Sequence, residues 1–357
     1  MARLYIPCPL VHGKSIISIM KDAIKKVVAG HNLTREEAGI AMDTIMQGNA
    51  TPAQIAALLV ALHTKGESID EITGFAEKMR EHAVHIFPHA PDLVDTCGTG
   101  GDHSGTFNIS TVAALVAAAA GVPIAKHGNR SMSSRCGSAD VLEALGVKIE
   151  LEPKQVETCI DTVGFGFIFA PAFHKAMRFA APTRKEIGIS TVFNILGPLT
   201  NPANASAQVL GVFDQELTAI MAEVLKNLGT KHALVVHGSD GLDEISLTER
   251  TQVTELKGGK LNTYFLKPEE FGFIRRERAE ILGGSAQENA EIAVDILKLE
   301  ERGARREIVL LNAAAAIYVG GKAKDLREGL KLAAAALDSG AANQKLEEVI
   351  AFTRKAS

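Results

Sequence analysis

Residues 95–111 read Asp-Thr-Cys-Gly-Thr-Gly-Gly-Asp-His-Ser-Gly-Thr-Phe-Asn-Ile-Ser-Thr, and no other run constrains the fold as tightly. A short approach, residues 93–96, suits a strand. The alanine-rich residues 112–121 that follow suit a buried helix. Between them lie Gly98, Gly100, Gly101 and Gly105. Glycine permits left-handed backbone and lets amides come close to an anion. Thr106, Ser110 and Thr111 add hydroxyls, and the last two fall near a helix N-terminus, where orphan N–H groups and the dipole favour phosphate. The spacing is neither a dinucleotide fingerprint nor a Walker A loop, because no Gly-Lys-Ser/Thr follows. A phosphate-binding strand–turn–helix unit is the expectation. An ordinary glycine-rich loop is the alternative.

The chain of 357 residues is long enough for a large domain and a smaller one. Before Pro91 the pattern is helical. Apolar residues recur at helical spacing over 16–29. Thr34 with Glu37, Thr51 with Gln54 and Ser68 with Glu71 make three capping boxes. These open helices ending near Gly48, at Lys65 and at about His85. Residues 16–88 are therefore expected as a small helical domain, with helices near 175–200 as candidates to join it. After Pro91, short apolar runs at 94–97, 123–127, 166–170, 208–213 and 232–236 alternate with helical stretches such as 138–145 and 215–228. That alternation predicts an α/β domain over 92–355 with a mostly parallel central sheet. Residues 244–273 read as strands, with Gly258-Gly259 as a hairpin turn. Four helices close the chain.

Three further segments carry chemistry. Residues 126–140 read Lys-His-Gly-Asn-Arg-Ser-Met-Ser-Ser-Arg-Cys-Gly-Ser-Ala-Asp. Lys126, Arg130 and Arg135 are placed to offset phosphate charge, and Ser131, Ser133, Ser134 and Ser138 supply hydroxyls. A polar surface loop is the alternative. Two phosphate-type loops after successive strands would suit a ligand phosphorylated at both ends. Asp243 and Glu244 follow a buried run and offer hard oxygen ligands for Mg²⁺, joined by Ser110. A solvent-facing acidic pair is the competing reading. Arg184 offers a fork for a carboxylate, although on these residues alone a surface arginine is the better reading. Asn194 reads as a turn residue and His174 as structural.

A formal net charge of −4 gives no global attraction to nucleic acid or anionic lipid. The four cysteines are dispersed, without a Cys-x-x-Cys, which argues against a metal cluster or disulfide scaffold and suits a reducing, cytoplasmic setting. No apolar tract reaches membrane-spanning length.

Taken in order, Cys-Gly-Thr-Gly-Gly-Asp102, Phe-Asn-Ile-Ser-Thr111, Lys-His-Gly-Asn-Arg-Ser131, Cys-Gly-Ser-Ala-Asp140 and Leu-Asp-Glu244 resemble the anthranilate phosphoribosyltransferases. The resemblance runs from Gln47 to the closing helices. Met132, Arg135 and Cys136 depart from the usual family choices, with Arg135 keeping the charge. The resemblance implies a nucleoside phosphorylase-like fold, a homodimer and the substrates anthranilate and phosphoribosyl pyrophosphate. It implies a donor site at Gly98, Gly101, Asp102, Thr106, Asn108, Ile109, Ser110, Thr111, Lys126, His127, Gly128, Asn129, Arg130, Ser131, Met132, Ser133, Ser134 and Ser138. It implies anthranilate contacts at Gly98, Asn129, Pro171, His174 and Arg184, and Mg²⁺ held by Ser110, Asp243 and Glu244. It names no single general base, and it implies two domains that hinge over a cleft.

Overall fold

The computed structural model describes residues 10–11, 14–102, 104–131 and 135–356, with side chains from residue 19 onward. The chain divides into two compact units, residues 1–83 with 174–200 and residues 84–173 with 201–357.

The first unit is helical. A two-residue ladder, β1 (Leu10–Val11) with β2 (Lys14–Ser15), leads into α1 (Ile16–Val28), α2 (Arg35–Met46), α3 (Pro52–Lys65) and α4 (Ile69–Glu81). All three predicted capping boxes form. Glu71 does more than cap α4. It also accepts the Leu33 amide at 2.9 Å and meets Lys65 Nζ at 2.9 Å, so one buried carboxylate ties three helix ends together. The expected run of α4 to His85 stops at Glu81. Beyond Ala83 the chain enters the other unit, where Val84 N donates to Phe173 O at 2.9 Å.

The second unit is built on a seven-stranded sheet. Its strands are β3 (Val94–Gly98), β4 (Ile124–Gly128), β5 (Phe165–Phe169), β6 (Ala207–Gly211), β7 (His232–Gly238), β8 (Thr251–Lys257) and β9 (Lys260–Leu266). They lie in the order β5-β4-β3-β6-β7-β8-β9. The first five are parallel and the last two antiparallel. The β8–β9 hairpin turns at Gly258-Gly259 as predicted, but strand begins at Thr251 rather than Glu244. Residues 240–248 are held instead as a loop, in which Asp240 accepts from Ser246 Oγ at 2.7 Å and from Thr248 Oγ1.

Crossover helices fill the faces. α5 (Ile109–Ala119) joins β3 to β4, and α6 (Ser138–Ala144) and α7 (Pro153–Val163) join β4 to β5. α7 is absent from the sequence-based expectation. Its Glu152–Gln155 box and first-turn proline are a legible start. The short α8 (Ala170–Phe173) ends this stretch. In the helical unit follow α9 (Ala181–Ile187) and α10 (Phe193–Leu196). α11 (Leu217–Asn227) then joins β6 to β7, and α12 (Ala286–Leu297), α13 (Ala304–Val319), α14 (Leu326–Asp338) and α15 (Ala341–Lys355) complete the unit. α5 and α13 are buried along nearly their whole length, which their alanine content permits because small side chains let helices pack close to sheet and neighbour alike.

Candidate active site

In an open parallel sheet, ligands bind beyond the carboxyl ends of the strands, where the strand order reverses. Here the reversal falls at β3 and β6, because the chain steps from β3 to β4 on one side while β6 lies on the other. The predicted donor and metal residues lie at the ends of β3, β4 and β7 and in the loops and helix starts that follow them.

The loop after β3 spans Gly98 to Asn108. Gly100 and Gly101 take positive φ, and a side chain built at either would meet only open space. Ser104 N donates to Asp102 Oδ1 at 3.2 Å, and the Ser104 and Thr106 hydroxyls lie 3.1 Å apart. α5 begins at Ile109, three residues earlier than the apolar run alone suggests, so Ser110 and Thr111 sit in its first turn. Ile109 is core and offers only its backbone. Thr111 Oγ1 is buried without a hydrogen-bond partner.

The acidic pair comes to this loop. Asp243 Oδ2 accepts the Gly100 amide at 3.1 Å, and Glu244 Oε1 accepts the Ser110 amide at 3.1 Å. Two glycines make the approach possible. A Cβ on Gly98 would lie 2.3 Å from Asp243 Oδ2, and one on Gly211 would lie 1.6 Å from the Asp243 carbonyl oxygen. From the far side, Asn312 of α13 grips the same loop. Its Oδ1 accepts Ile245 N at 2.9 Å and its Nδ2 donates to Ile245 O at 3.0 Å. Burial raises both carboxyls above their ordinary range. The charges of Asp102 and Glu244 add to this at Asp243; at Glu244 Lys126 opposes it.

Such a set suits a hard divalent cation. Glu244 meets Ser110 and Asp243 meets Gly100, so two adjacent carboxylates border one glycine loop. Mg²⁺ needs only one or two carboxylates from the protein, because it keeps waters and takes phosphate oxygens. Among the described residues no group of three or more His, Cys, Asp or Glu is placed to hold a metal ion.

The loop after β4 starts from Lys126, which is 1% exposed. Its ammonium donates to the Thr96 carbonyl, and Thr96 Oγ1 lies 3.4 Å away. Burial lowers its pKa, against the pull of Asp95 and Glu244. Lys126 is thus a fixed positive charge beneath the loops rather than an exposed arm. His127 N donates to Asp95 Oδ1 at 3.1 Å. Gly128 lets β4 end against Ser138 and Phe167. Asn129 is exposed, and its carbonyl accepts Ala139 N at 3.2 Å. Arg130, expected to face phosphate, turns back to Asp140 at 3.1 Å and Glu143 at 2.8 Å. Asp140 also collects the Ser131 and Gly137 amides at 3.0 and 2.8 Å, which shapes the loop from within. Met132, Ser133 and Ser134 lie outside the described residues.

Of the expected anthranilate contacts, Gly98, Asn129 and an exposed Pro171 belong to the α/β unit. His174 and Arg184 belong to the helical unit. His174 is buried. Arg184 sits on α9 with its guanidinium 4.8 Å from the Phe193 ring centroid. Burial alone lowers its pKa, and no acidic partner meets it among the described residues. A guanidinium has the fork geometry that suits a carboxylate, and here it rests on an aromatic face. Asn194 closes a turn by accepting Thr191 N at 3.0 Å. Asp95, Asn201, Asn289 and Asn312 belong to the site's support and went unmarked in the sequence.

Residues 90–343 match the glycosyl transferase family a/b-domain profile, and residues 21–83 match the helical bundle domain of the same family. Anthranilate phosphoribosyltransferase from Pelotomaculum thermopropionicum is 56% identical over 94% of this chain and 97% of its own. The crystal structure of anthranilate phosphoribosyltransferase from Thermus thermophilus superposes with a TM-score of 0.89 at 50% identity, covering 93% of this chain and 99% of that one. The Saccharomyces cerevisiae enzyme of the same name, solved with PRPP and Mg, gives 0.86 at 27% identity over 95% of this chain and 98% of its own. With the acidic pair seated on the glycine loop and likeness running along nearly the whole sequence, the chain belongs to the anthranilate phosphoribosyltransferase family.

Proposed function

We propose that the chain transfers the 5-phosphoribosyl group of phosphoribosyl pyrophosphate to the amine of anthranilate, releasing pyrophosphate, in tryptophan biosynthesis. The observation that carries this reading is the paired contact of Asp243 with the Gly100 amide and Glu244 with the Ser110 amide. It brings two carboxylates to a loop shaped for phosphate. The named relatives support the chemistry, among them yeast structures with PRPP and Mg and with 4-fluoroanthranilate.

In this reaction the bond from the anomeric carbon to pyrophosphate breaks as the bond to the amine nitrogen forms, and the carbon carries oxocarbenium character. Catalysis is then mainly positioning and charge stabilisation. In the proposal, the Gly101 amide and the hydroxyls of Ser104, Thr106 and Thr111 receive donor oxygens, while the Gly100 amide holds Asp243. Ser131 and Ser138 border the second loop. Lys126 supplies fixed positive charge from below without leaving Thr96. Ser110, Asp243 and Glu244 would hold Mg²⁺, which when bound neutralises charge on the departing pyrophosphate. Arg184 takes the anthranilate carboxylate, and Gly98, Asn129, Pro171 and His174 complete the contacts. The amine proton becomes acidic once the C–N bond forms, so the proposal needs no single general base.

We further propose a homodimer acting in the cytoplasm. Among the described residues no helix is long and apolar enough to cross a membrane. The decisive assay follows anthranilate fluorescence with phosphoribosyl pyrophosphate and Mg²⁺. Decay that requires both is expected. No decay, with phosphorolysis of a pyrimidine nucleoside instead, would overturn the reading.

A further inference from the structure

The segment 282–289 lies far from every motif read in the sequence, yet it touches both donor loops. Thr106 forms an isolated antiparallel bridge with Leu282, and Gly283 N donates to Gly105 O at 2.9 Å. Gly283 lies so close under Phe107 that a Cβ there would fall 2.6 Å from its Cα. Asn289, in the first turns of α12 and 2% exposed, turns its amide two ways. Its Oδ1 accepts Gly284 N at 2.7 Å, which fixes the turn. Its Nδ2 donates to Asn108 Oδ1 at 3.0 Å. Asn108 in turn reaches the other loop. Its Nδ2 donates to Cys136 O at 3.2 Å, and its Oδ1 accepts the Cys136 thiol at 3.2 Å. Cys136 packs against Ala290 of the same helix.

The Asn108 side chain therefore makes no cap on α5. It bridges the two loops instead, and Asn289 fixes which way its amide faces. A flipped Asn108 would set its NH₂ against two donors and its oxygen against the Cys136 carbonyl, so Asn289 and Cys136 together fix the orientation.

We propose that Asn289 is a positioning residue for the phosphoribosyl donor, holding Asn108, which follows β3, and Cys136, which follows β4, at fixed spacing. This rests on the reading that those loops bind the donor. Asn289 is not placed to touch a ligand. Its effect passes through Asn108, and so belongs to the donor and not to anthranilate.

The experiment measures KM for both substrates, and donor–Mg²⁺ affinity by calorimetry, in wild type, Asn289→Ala, Asn108→Ala and the double variant. Asn289→Ala should raise the donor KM about five- to tenfold, as expected for one lost buried hydrogen bond, with the anthranilate KM within about twofold of wild type. In the Asn108→Ala background the same change should add less than about twofold to the donor KM, because the bond to Asn108 is already gone and only the Gly284 contact remains to be lost. Equal rises in both KM values, or effects that add fully in the double variant, would reduce Asn289 to a structural role and overturn the proposal. Should Asn289→Ala fail to fold, Asn289→Asp keeps the acceptor for Gly284 and sets a carboxyl oxygen against Asn108 Oδ1 in place of the donor. Wild-type donor affinity in that variant would also overturn it. If the wild type itself binds no phosphoribosyl pyrophosphate, the parent reading fails instead, and the calorimetry separates the two cases.

Discussion

Asn201 donates a buried 2.8 Å hydrogen bond to Asp95, a partner 106 residues earlier in the chain. The same Asn201 Nδ2 lies 2.8 Å from Ala125 O, and its Oδ1 accepts Ala203 N at 2.9 Å. Asp95 takes the His127 amide on its other oxygen. One carboxylate thus joins β3, the end of β4 and the residue at which the chain re-enters the α/β unit. It lies directly beneath the loops assigned to the donor.

Burial pushes the Asp95 carboxyl up to about 6, against the opposing charge of Lys126. Its unfolded value is about 3.9. An acid whose folded pKa is raised binds its proton more readily in the folded state. Its contribution to stability is therefore greatest near pH 4 and is lost as pH rises through 6. Asp95→Asn removes this titration. It also sets an NH₂ against one of two donors, so at pH 4.5 the variant should be less stable than wild type by about 1–3 kcal/mol. The gap should narrow as pH rises to 7.5. Urea unfolding at both pH values tests this, and a gap independent of pH would mean Asp95 stays ionised throughout.

Arg184 is held over Phe193 without an acidic partner among the described residues. An unpaired, desolvated cation costs folding free energy that a bound carboxylate would return. Arg184→Met should keep the packing on Phe193, leave the ligand-free melting temperature unchanged or slightly higher, and raise the anthranilate KM at least about tenfold. The donor KM should stay near wild type. Calorimetric melting together with steady-state kinetics checks both halves. A lower melting temperature with equal loss for both substrates would make Arg184 structural.

What the sequence disclosed was local. The Thr34, Thr51 and Ser68 boxes and the Gly258-Gly259 turn are short-range signals, and each formed. Loop chemistry at 98–111 was also legible, because glycine and hydroxyl spacing is a property of the segment itself. Contacts across the fold were not. Nothing near Arg130 in the chain says that it will prefer Glu143 on the following helix to an anion. Nothing near Asp95 announces Asn201, and nothing near Asn108 announces Asn289. These pairings exist only once the sheet order is set.

Gly98 tests how closely the acidic pair must approach. The Asp243 backbone rests on Gly211, and Asn312 anchors the loop two residues on at Ile245. A methyl group at residue 98 must then rotate the Asp243 carboxylate away and break its bond to Gly100. Gly98→Ala should lower kcat/KM for the donor by about 10- to 100-fold, the scale of one displaced charged group. The melting temperature should move by only a few degrees. Unchanged donor kinetics would show that Asp243 does not act from this position.

Asp243→Asn combined with Glu244→Gln tests the metal role directly. Both changes keep size and polarity, and the amide oxygens can still accept the Gly100 and Ser110 amides. What they remove is negative charge, the property a divalent cation needs. The double variant should therefore fold, and should need at least about tenfold more Mg²⁺ for half-maximal rate, since two charged ligands become neutral ones. Chelation should stop the wild type and be reversed by added Mg²⁺. If the variant instead shows a wild-type Mg²⁺ profile with a reduced rate, the pair shapes the glycine loop and the cation is held elsewhere. The two outcomes separate cleanly because the first moves along the metal axis and the second does not.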